Sequence, residues 1–324
     1  MVAALGAVRA AAMVRPEFVK ASDKMQEVEQ NLRTGTVATS NCSLPVSVII
    51  PVRNEAKNLP RCLAALNDFS EIYVIDSQST DATVEMAREG GAKVVQFHYQ
   101  GGWPKKRQWA MDTLPLSNDW ILLLDADEVL TPELTAEIRR AIERPEINGY
   151  YIRLRMSFLG RVLNHGDAGF WKMSLFRRGK GKYECRLKTQ DASMADMEVH
   201  EHVIIDGPTA QFEKPLIHHN VESLSRYIQK HDEYSNWEAR VLLGEERGRD
   251  QIPPSLFGTQ AQRRRWLKQK FFGVPGSPVL LFFYRYLFRL GFLDGVPGLI
   301  YSAFQAIQMF HTKAKIYELR SRKD

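Results

Sequence analysis

Residues 119–130 read DWILLLDADEVL. The unbroken apolar run at 121–124 has the pattern of a strand buried on both faces, and Asp125, Asp127 and Glu128 crowd its end. Carboxylates so close together repel one another, so something of opposite charge is required beside them. Outward from this stretch the pattern repeats. VSVIIP (46–51), EIYVID (71–76) and KVVQFHY (93–99) read as further strands, while NLPRCLAAL (58–66), TDATVEMAREGG (80–91) and KKRQWAMDTL (105–114) have helical spacing. TPELTAEIRRAIE (131–143) closes the series as a helix with Thr131 at its N-cap and Pro132 at its first position. Unalternated strands between helices predict a parallel sheet covered on both faces, and such sheets bind ligands at the carboxyl ends of their strands. Arg53, Asn54, Glu55, Asp76 and Asp125 all fall on that edge.

After residue 148 the character changes. GYYIRLRMSFLG (149–160), WKMSLFRRG (171–179), MEVHEHVII (197–205) and AQFEKPLIHH (210–219) predict mixed or antiparallel strands. SLSRYIQKHDEYSNWEARVLLGEE (223–246) predicts a long helix, and a loop rich in Pro and Gly leads to QRRRWLKQKFF (262–272). The organisation expected is therefore an extension at 1–44, a first half at 45–148, a second half of the same domain at 149–245, and a basic helical region at 246–324.

With 44% hydrophobic and 25% charged residues in 324, the chain reads as globular. Cys42, Cys62 and Cys185 are odd in number and lack CxxC spacing, which argues against a disulfide framework or a thiolate zinc site and for a reducing compartment. The N-terminal stretch lacks the basic start and strong apolar centre of a signal peptide and is expected to be poorly ordered, with some helix around SDKMQEVEQNL (22–32). The net charge of +6 is unevenly spread. Residues 261–324 hold 12 Lys+Arg against 3 Asp+Glu, an excess of +9, so the rest of the chain carries −3. That asymmetry favours an anionic surface as partner for the tail, and no nucleic-acid-binding motif is present.

No G-x-G-x-x-G follows the first strand and no Walker lysine loop occurs, which argues against a dinucleotide dehydrogenase and a P-loop NTPase. The D-x-D spacing suits Mg²⁺ or Mn²⁺, which takes one or two carboxylates and completes its octahedron with water and diphosphate oxygens. Such a cation would both offset the carboxylate repulsion and neutralise a leaving diphosphate. His200, His202, His218 and His219 lack an obvious third partner for zinc and read as structural, with a lesser role for His218 or His219 near a diphosphate or metal.

VSVIIPVRNEAKNLPRCLAAL, EIYVIDSQSTDATVEMA and WILLLDADE together resemble the nucleotide-sugar-binding half of family 2 glycosyltransferases. VHE, KPLIHH and LGFLDGVPGLIYSAFQA resemble the branch that builds bacterial lipopolysaccharide core and exopolysaccharide. The resemblance covers about residues 46–318. It implies a GT-A-type α/β fold, a mostly parallel sheet flanked by helices, followed by a mixed acceptor-side region and C-terminal amphipathic helices. One departure is DSQSTD (76–81), where many members have a second Asp and a Gly; the turn is expected to be kept. By this resemblance Pro51, Arg53 and Glu55 line the nucleoside pocket, and Asp76 accepts a hydrogen bond from the base, most naturally a uracil imide. Asp125 contacts ribose or reaches the metal through water, Asp127 ligates the metal, and Lys105, Lys106 or Arg107 meets phosphate. Glu201 is the candidate base for the acceptor hydroxyl, with Asp191 as competitor.

From 279 to 310 the apolar run is interrupted by Arg285, Arg289, Asp294 and Pro297, too often for a spanning helix. Arg285 and Arg289, one turn apart among Leu, Phe and Tyr, suit a helix lying in the interface of an anionic leaflet; packing on the catalytic domain is the alternative. The reading is an inverting, metal-dependent glycosyltransferase that passes a sugar from a nucleotide diphosphate to a lipid-linked saccharide at the cytoplasmic membrane face. The alternatives are a sugar-nucleotide pyrophosphorylase, whose Gly-rich basic loop PVRNEAKNLP does not supply, a non-catalytic nucleotide-sugar-binding module, and a hydrolase with paired carboxylates.

Overall fold

The four strands expected before residue 125 lie side by side in one ten-stranded sheet. The structure, a computed structural model, describes residues 43–188, 196, 198, 201–220, 223–244, 252–258 and 260–322. The strands are β1 (Leu44–Val52), β2 (Phe69–Asp76), β3 (Lys93–Gln96), β4 (Trp120–Leu123), β5 (Glu128–Val129), β6 (Gly149–Phe158), β7 (Arg161–Val162), β8 (Gly169–Arg177), β9 (Gly181–Tyr183), β10 (Val203–Ile205), β11 (Thr209–Gln211) and β12 (Leu216–Asn220). The helices are α1 (Leu59–Ala64), α2 (Thr83–Glu89), α3 (Lys106–Thr113), α4 (Pro132–Ala141), α5 (Leu224–Leu243), α6 (Gln260–Phe272), α7 (Ser277–Phe283) and α8 (Gly295–Ser321).

The sheet runs β3-β2-β1-β4-β8-β6-β12-β5, with β7 and β11 added beside β6. Its first four strands are parallel; β8 then pairs antiparallel with both β4 and β6. β1 lies between two partners and under helices on both faces, which is why it needs apolar residues at successive positions. Val48 and Ile50 enter one core with Leu59 and Cys62 of α1 and Leu134 and Ile138 of α4. Ile49 points the other way, toward Ala110 of α3, Phe176 and Tyr183. Each such side chain contributes about 1.5–3 kcal/mol by leaving water. Helix α4 begins as its sequence requires: Thr131 Oγ1 accepts from Leu134 N at 3.2 Å, with Pro132 in the first position.

Two features of the second half bear on the site. β5 begins immediately after Asp127 and pairs antiparallel with β12, bringing His218 opposite Glu128. β9 and β10 form a separate two-stranded ribbon that leads to Glu184 on one side and away from Glu201 on the other. Helix α5 ends where Gly244 takes a left-handed conformation at φ 78°.

The C-terminal region differs from the single arginine-bearing helix expected. α7 passes into a π-helical turn at Tyr284–Phe288, Leu290 adopts φ 58°, and a 3₁₀ turn at Gly291–Asp294 leads into α8. Arg289 follows the π turn instead of continuing a helical face. Its side chain lies 3.6 Å from Asp167 Oδ1, and Arg285 Nη1 donates to Gly166 O at 2.8 Å. Pro297 stands in the first turn of α8, where a missing N–H costs nothing, so it starts this helix instead of breaking it. No helix among the described residues is long and apolar enough to cross a membrane.

Candidate active site

The carboxyl ends of β1 and β2 are laced together by their loops. Asn54, at φ 57°, donates its N–H to Ser79 Oγ at 2.8 Å and accepts from Thr80 N at 2.8 Å. Glu55 N donates to Thr83 Oγ1 at 2.8 Å, and its carboxylate accepts from Asn58 Nδ2 at 2.8 Å. Pro51 is buried at the end of β1 opposite Ile75, while Arg53 is exposed. Asp76 is 1% exposed, and its oxygens accept from Ser79 N at 3.0 Å, Ser79 Oγ at 2.5 Å and Gln96 Nε2 at 2.9 Å. Gln78 holds a left-handed φ of 56°, a conformation that costs a residue with a side chain more than it costs glycine.

At the end of β4 the compensating charge comes from the protein. Arg107 Nη2 donates to Asp125 Oδ1, and Lys172 Nζ, from the middle of β8, lies 2.9 Å from Asp125 Oδ2. The same ammonium donates to both Glu128 oxygens at 2.9 Å, and Asp125 N donates to Glu128 Oε2 at 2.9 Å. Burial works against ionised Asp125, but the two cations outweigh it and hold this carboxyl well below the usual range. Burial raises Glu128, against the pull of Lys172. Asp127 is placed differently: its Oδ2 lies 3.5 Å from His218 Nε2, and its carbonyl accepts from His219 N at 2.7 Å. Burial first, then Arg61 and His218, lowers the His219 imidazole to about 4, so it is neutral at neutral pH. His218 Nδ1 is buried with no hydrogen-bond partner among the described residues.

The basic run at the start of α3 is buried, with Lys105 and Lys106 each 1% exposed and Arg107 5%. Each residue meets an acidic residue from the segment before β10. Lys105 Nζ lies 3.0 Å from Glu201 Oε2 and 5.5 Å from the Trp237 ring centre. Lys106 Nζ lies 3.2 Å from Asp196 Oδ2 and donates to Val52 O at 3.0 Å; Asp196 also accepts from Ser77 Oγ. Glu198 caps α3, accepting from Arg107 N at 3.1 Å and Gln108 N at 2.9 Å, and its carbonyl accepts from Arg107 Nη1. Arg107 thus joins the acidic segment to Asp125. Burial raises the Glu201 carboxyl, with Lys105 opposing. Asp191 and His200 lie outside the described residues.

Residues 47–203 match the family model for glycosyl transferase family 2. They form a family 2 glycosyltransferase domain. Each candidate side chain named from sequence, from Pro51 to Glu201, lies within this glycosyltransferase domain. The lipopolysaccharide core biosynthesis glycosyltransferase LpsC of Rhizobium meliloti is 28% identical over 85% of this chain and 93% of its own. A TPR repeat-containing protein of Synechococcus elongatus is 36% identical over 36% of this chain, which spans 29% of that protein's length. Among solved structures, glucosyl-3-phosphoglycerate synthase from Mycobacterium tuberculosis, in complex with Mn²⁺, UDP and glucosyl-3-phosphoglycerate, overlaps 68% of this chain and 91% of its own. The TM-score is 0.36 and the identity 15%.

Three residues of the candidate site, Lys172, Asp196 and Glu198, escaped the sequence reading, and His218 had only a lesser role in it. Lys172 carries a signal in retrospect, a cation set among Phe170, Trp171, Met173 and Leu175 of a central strand. Asp196 and Glu198 carry none, because their partners lie about ninety residues or more away in the chain. His218 meets Asp127 only through the β5–β12 pairing. No group of three or more His, Cys, Asp or Glu among the described residues is arranged to hold a metal by itself.

Proposed function

We propose that this protein transfers a sugar, with inversion, from a uridine diphosphate donor to a lipid-linked saccharide during cell-surface polysaccharide or lipopolysaccharide assembly. The observation that carries this reading is the meeting of Asp76, Asp125 and Asp127 at one sheet edge inside a family 2 glycosyltransferase domain. The lipopolysaccharide-core relative supplies the acceptor class. Pro51, Arg53 and Glu55 border the nucleoside, and Asp76, already fixed by Ser79 and Gln96, presents a rigid acceptor edge to the base.

A divalent cation arriving with the diphosphate needs only one or two protein donors. The Asp127 carboxylate and the His218 imidazole fit that need, and the buried, unpartnered His218 Nδ1 marks a ring not fully committed to the protein. Asp125, engaged by Arg107 and Lys172, acts from outside the coordination sphere. When bound, Mg²⁺ or Mn²⁺ supplies positive charge to the leaving diphosphate. Lys105, Lys106 and Arg107 gather positive charge beside the same edge. Glu201 takes the proton from the attacking acceptor hydroxyl; Asp191 is the competing base.

The acceptor's lipid places this chemistry at a membrane surface, on the cytoplasmic face where nucleotide sugars are available. All but six of the exposed large apolar residues among those described lie beyond residue 255, including Phe288 at 78%, Val296 at 67% and Val279 at 59% exposed. An apolar surface of this kind needs a partner, and a lipid interface flanked by basic residues is the one this tail fits. Melting temperatures measured across a panel of nucleotide sugars, with and without Mn²⁺, test the donor reading, because a true donor stabilises the fold by mass action. Absence of a shift with every uridine diphosphate sugar would count against it.

A further inference from the structure

We propose that Lys172 is the built-in counter-cation of the β4 end, holding the place between Asp125 and Glu128 that a divalent ion would otherwise take, and so confining any donor-borne metal to Asp127. The ammonium has three N–H donors, and three carboxylate oxygens surround it at 2.9 Å: Asp125 Oδ2 and both Glu128 oxygens. Its side chain is 15% exposed and that of Glu128 is fully buried, so neither charge is left to bulk water. Arg107 takes the remaining Asp125 oxygen. A metal bound by oxygens at roughly 2.0–2.1 Å cannot share this space with the ammonium. Asp127 alone of the three carboxylates in DADE stands clear of it, beside His218. Lys172 is therefore a positioning residue: it fixes Asp125 with or without metal and makes metal binding depend on the donor's own phosphates. The second half of that statement rests on the donor reading above; the first half does not.

The test is Mn²⁺ titrated against the full chain, followed by melting temperature and by equilibrium dialysis, with and without UDP. Wild type is expected to show no shift with Mn²⁺ alone and a clear one with Mn²⁺ plus UDP. Lys172→Gln leaves the buried Glu128 without its cation and Asp125 with Arg107 alone, so its melting temperature should fall by roughly 5–10 °C. Mn²⁺ alone should then recover most of that loss, because the vacated space now suits a metal. Lys172→Arg keeps the charge and should behave as wild type with respect to Mn²⁺ alone. A Lys172→Gln protein as stable as wild type, or one that Mn²⁺ alone does not restore, overturns the proposal. If Lys172→Gln does not fold, dialysis of wild type decides: Mn²⁺ bound equally well without UDP overturns it. Wild type that binds no Mn²⁺ either with or without UDP would instead contradict the donor reading, and the metal-alone measurements on Lys172→Gln would still test the counter-cation.

Discussion

Glu201 Oε2 lies 3.0 Å from Lys105 Nζ, with both side chains at 1% exposure or less. A carboxylate so enclosed is raised by burial, and Lys105 limits the rise. A base must be ionised to accept a proton, so transfer should decline as pH falls through the raised pKa of Glu201. That acidic limb should lie above the ordinary glutamate value of about 4.3. Lys105→Met removes the opposing cation and should move the limb to higher pH. Glu201→Gln should keep donor affinity and lose on the order of 10²–10⁴ in transfer rate. Pre-steady-state transfer rates across a pH series check this; loss of transfer in Asp191→Asn but not in Glu201→Gln would make Asp191 the base.

Glu71 clips four segments of the parallel half together. Its carboxylate accepts from Ser47 Oγ at 2.5 Å, Ser117 N and Oγ each at 3.0 Å, and Lys93 Nζ at 3.0 Å. Burial acts to raise this carboxyl, but the bonds from Ser47, Ser117 and Lys93 win and lower it to about 2. The folded pKa is below the unfolded one, so the stabilisation is present above about 4.3 and is lost as pH falls toward 2. Glu71→Gln should cost about 1–3 kcal/mol at neutral pH and flatten the acid limb of stability. Urea melts at pH 7 and pH 3 measure both; equal losses at the two pH values would contradict the assignment.

The exposed apolar residues of the C-terminal region should bind vesicles chiefly through an apolar term. Arg265, 2.6 Å from Glu184, and Lys268, paired with Glu238, are committed within the protein, as are Arg285 and Arg289. Reversing Arg265 would therefore break a buried pair instead of testing lipid attraction. Arg263 and Lys270 are exposed, and replacing both with Glu should weaken binding to anionic vesicles by about 1 kcal/mol each at low salt. Leu287→Ser combined with Phe288→Ser should weaken binding at every salt concentration while leaving the melting temperature close to wild type. Flotation with neutral and anionic vesicles reads both effects; equal absence of the wild-type protein from both kinds would contradict membrane docking.

The parallel half was legible because double burial removes alternation, and the loops between strands are short enough to leave each helix a separate pattern. What the sequence hid was long-range pairing. Lys105, Lys106 and Arg107 look like a solvent-facing or phosphate-facing helix start until a segment some ninety residues later folds over them. The left-handed backbone at Gln78 and Leu290 was hidden as well, since neither residue type announces a positive φ. At Leu290 this turned one expected helix into a sharp bend. The arginines assigned to lipid then closed onto residues 166 and 167.

Asp127 is where the donor reading is most exposed to contradiction, because its neighbours Asp125 and Glu128 already have cations, whereas among the described residues its carboxylate pairs with His218 at 3.5 Å. Asp127→Asn keeps the side chain's size and should leave the fold intact. Removal of the group that steadies the leaving diphosphate should cost roughly 3–4 kcal/mol, on the order of 10²–10³ in rate. The decisive measurement is sugar transfer from the uridine diphosphate donor by wild type and Asp127→Asn, each with Mn²⁺ and with EDTA. The expected result is activity in one arm only, wild type with Mn²⁺; near-normal transfer in EDTA, or by Asp127→Asn, would contradict metal-assisted transfer at this strand end.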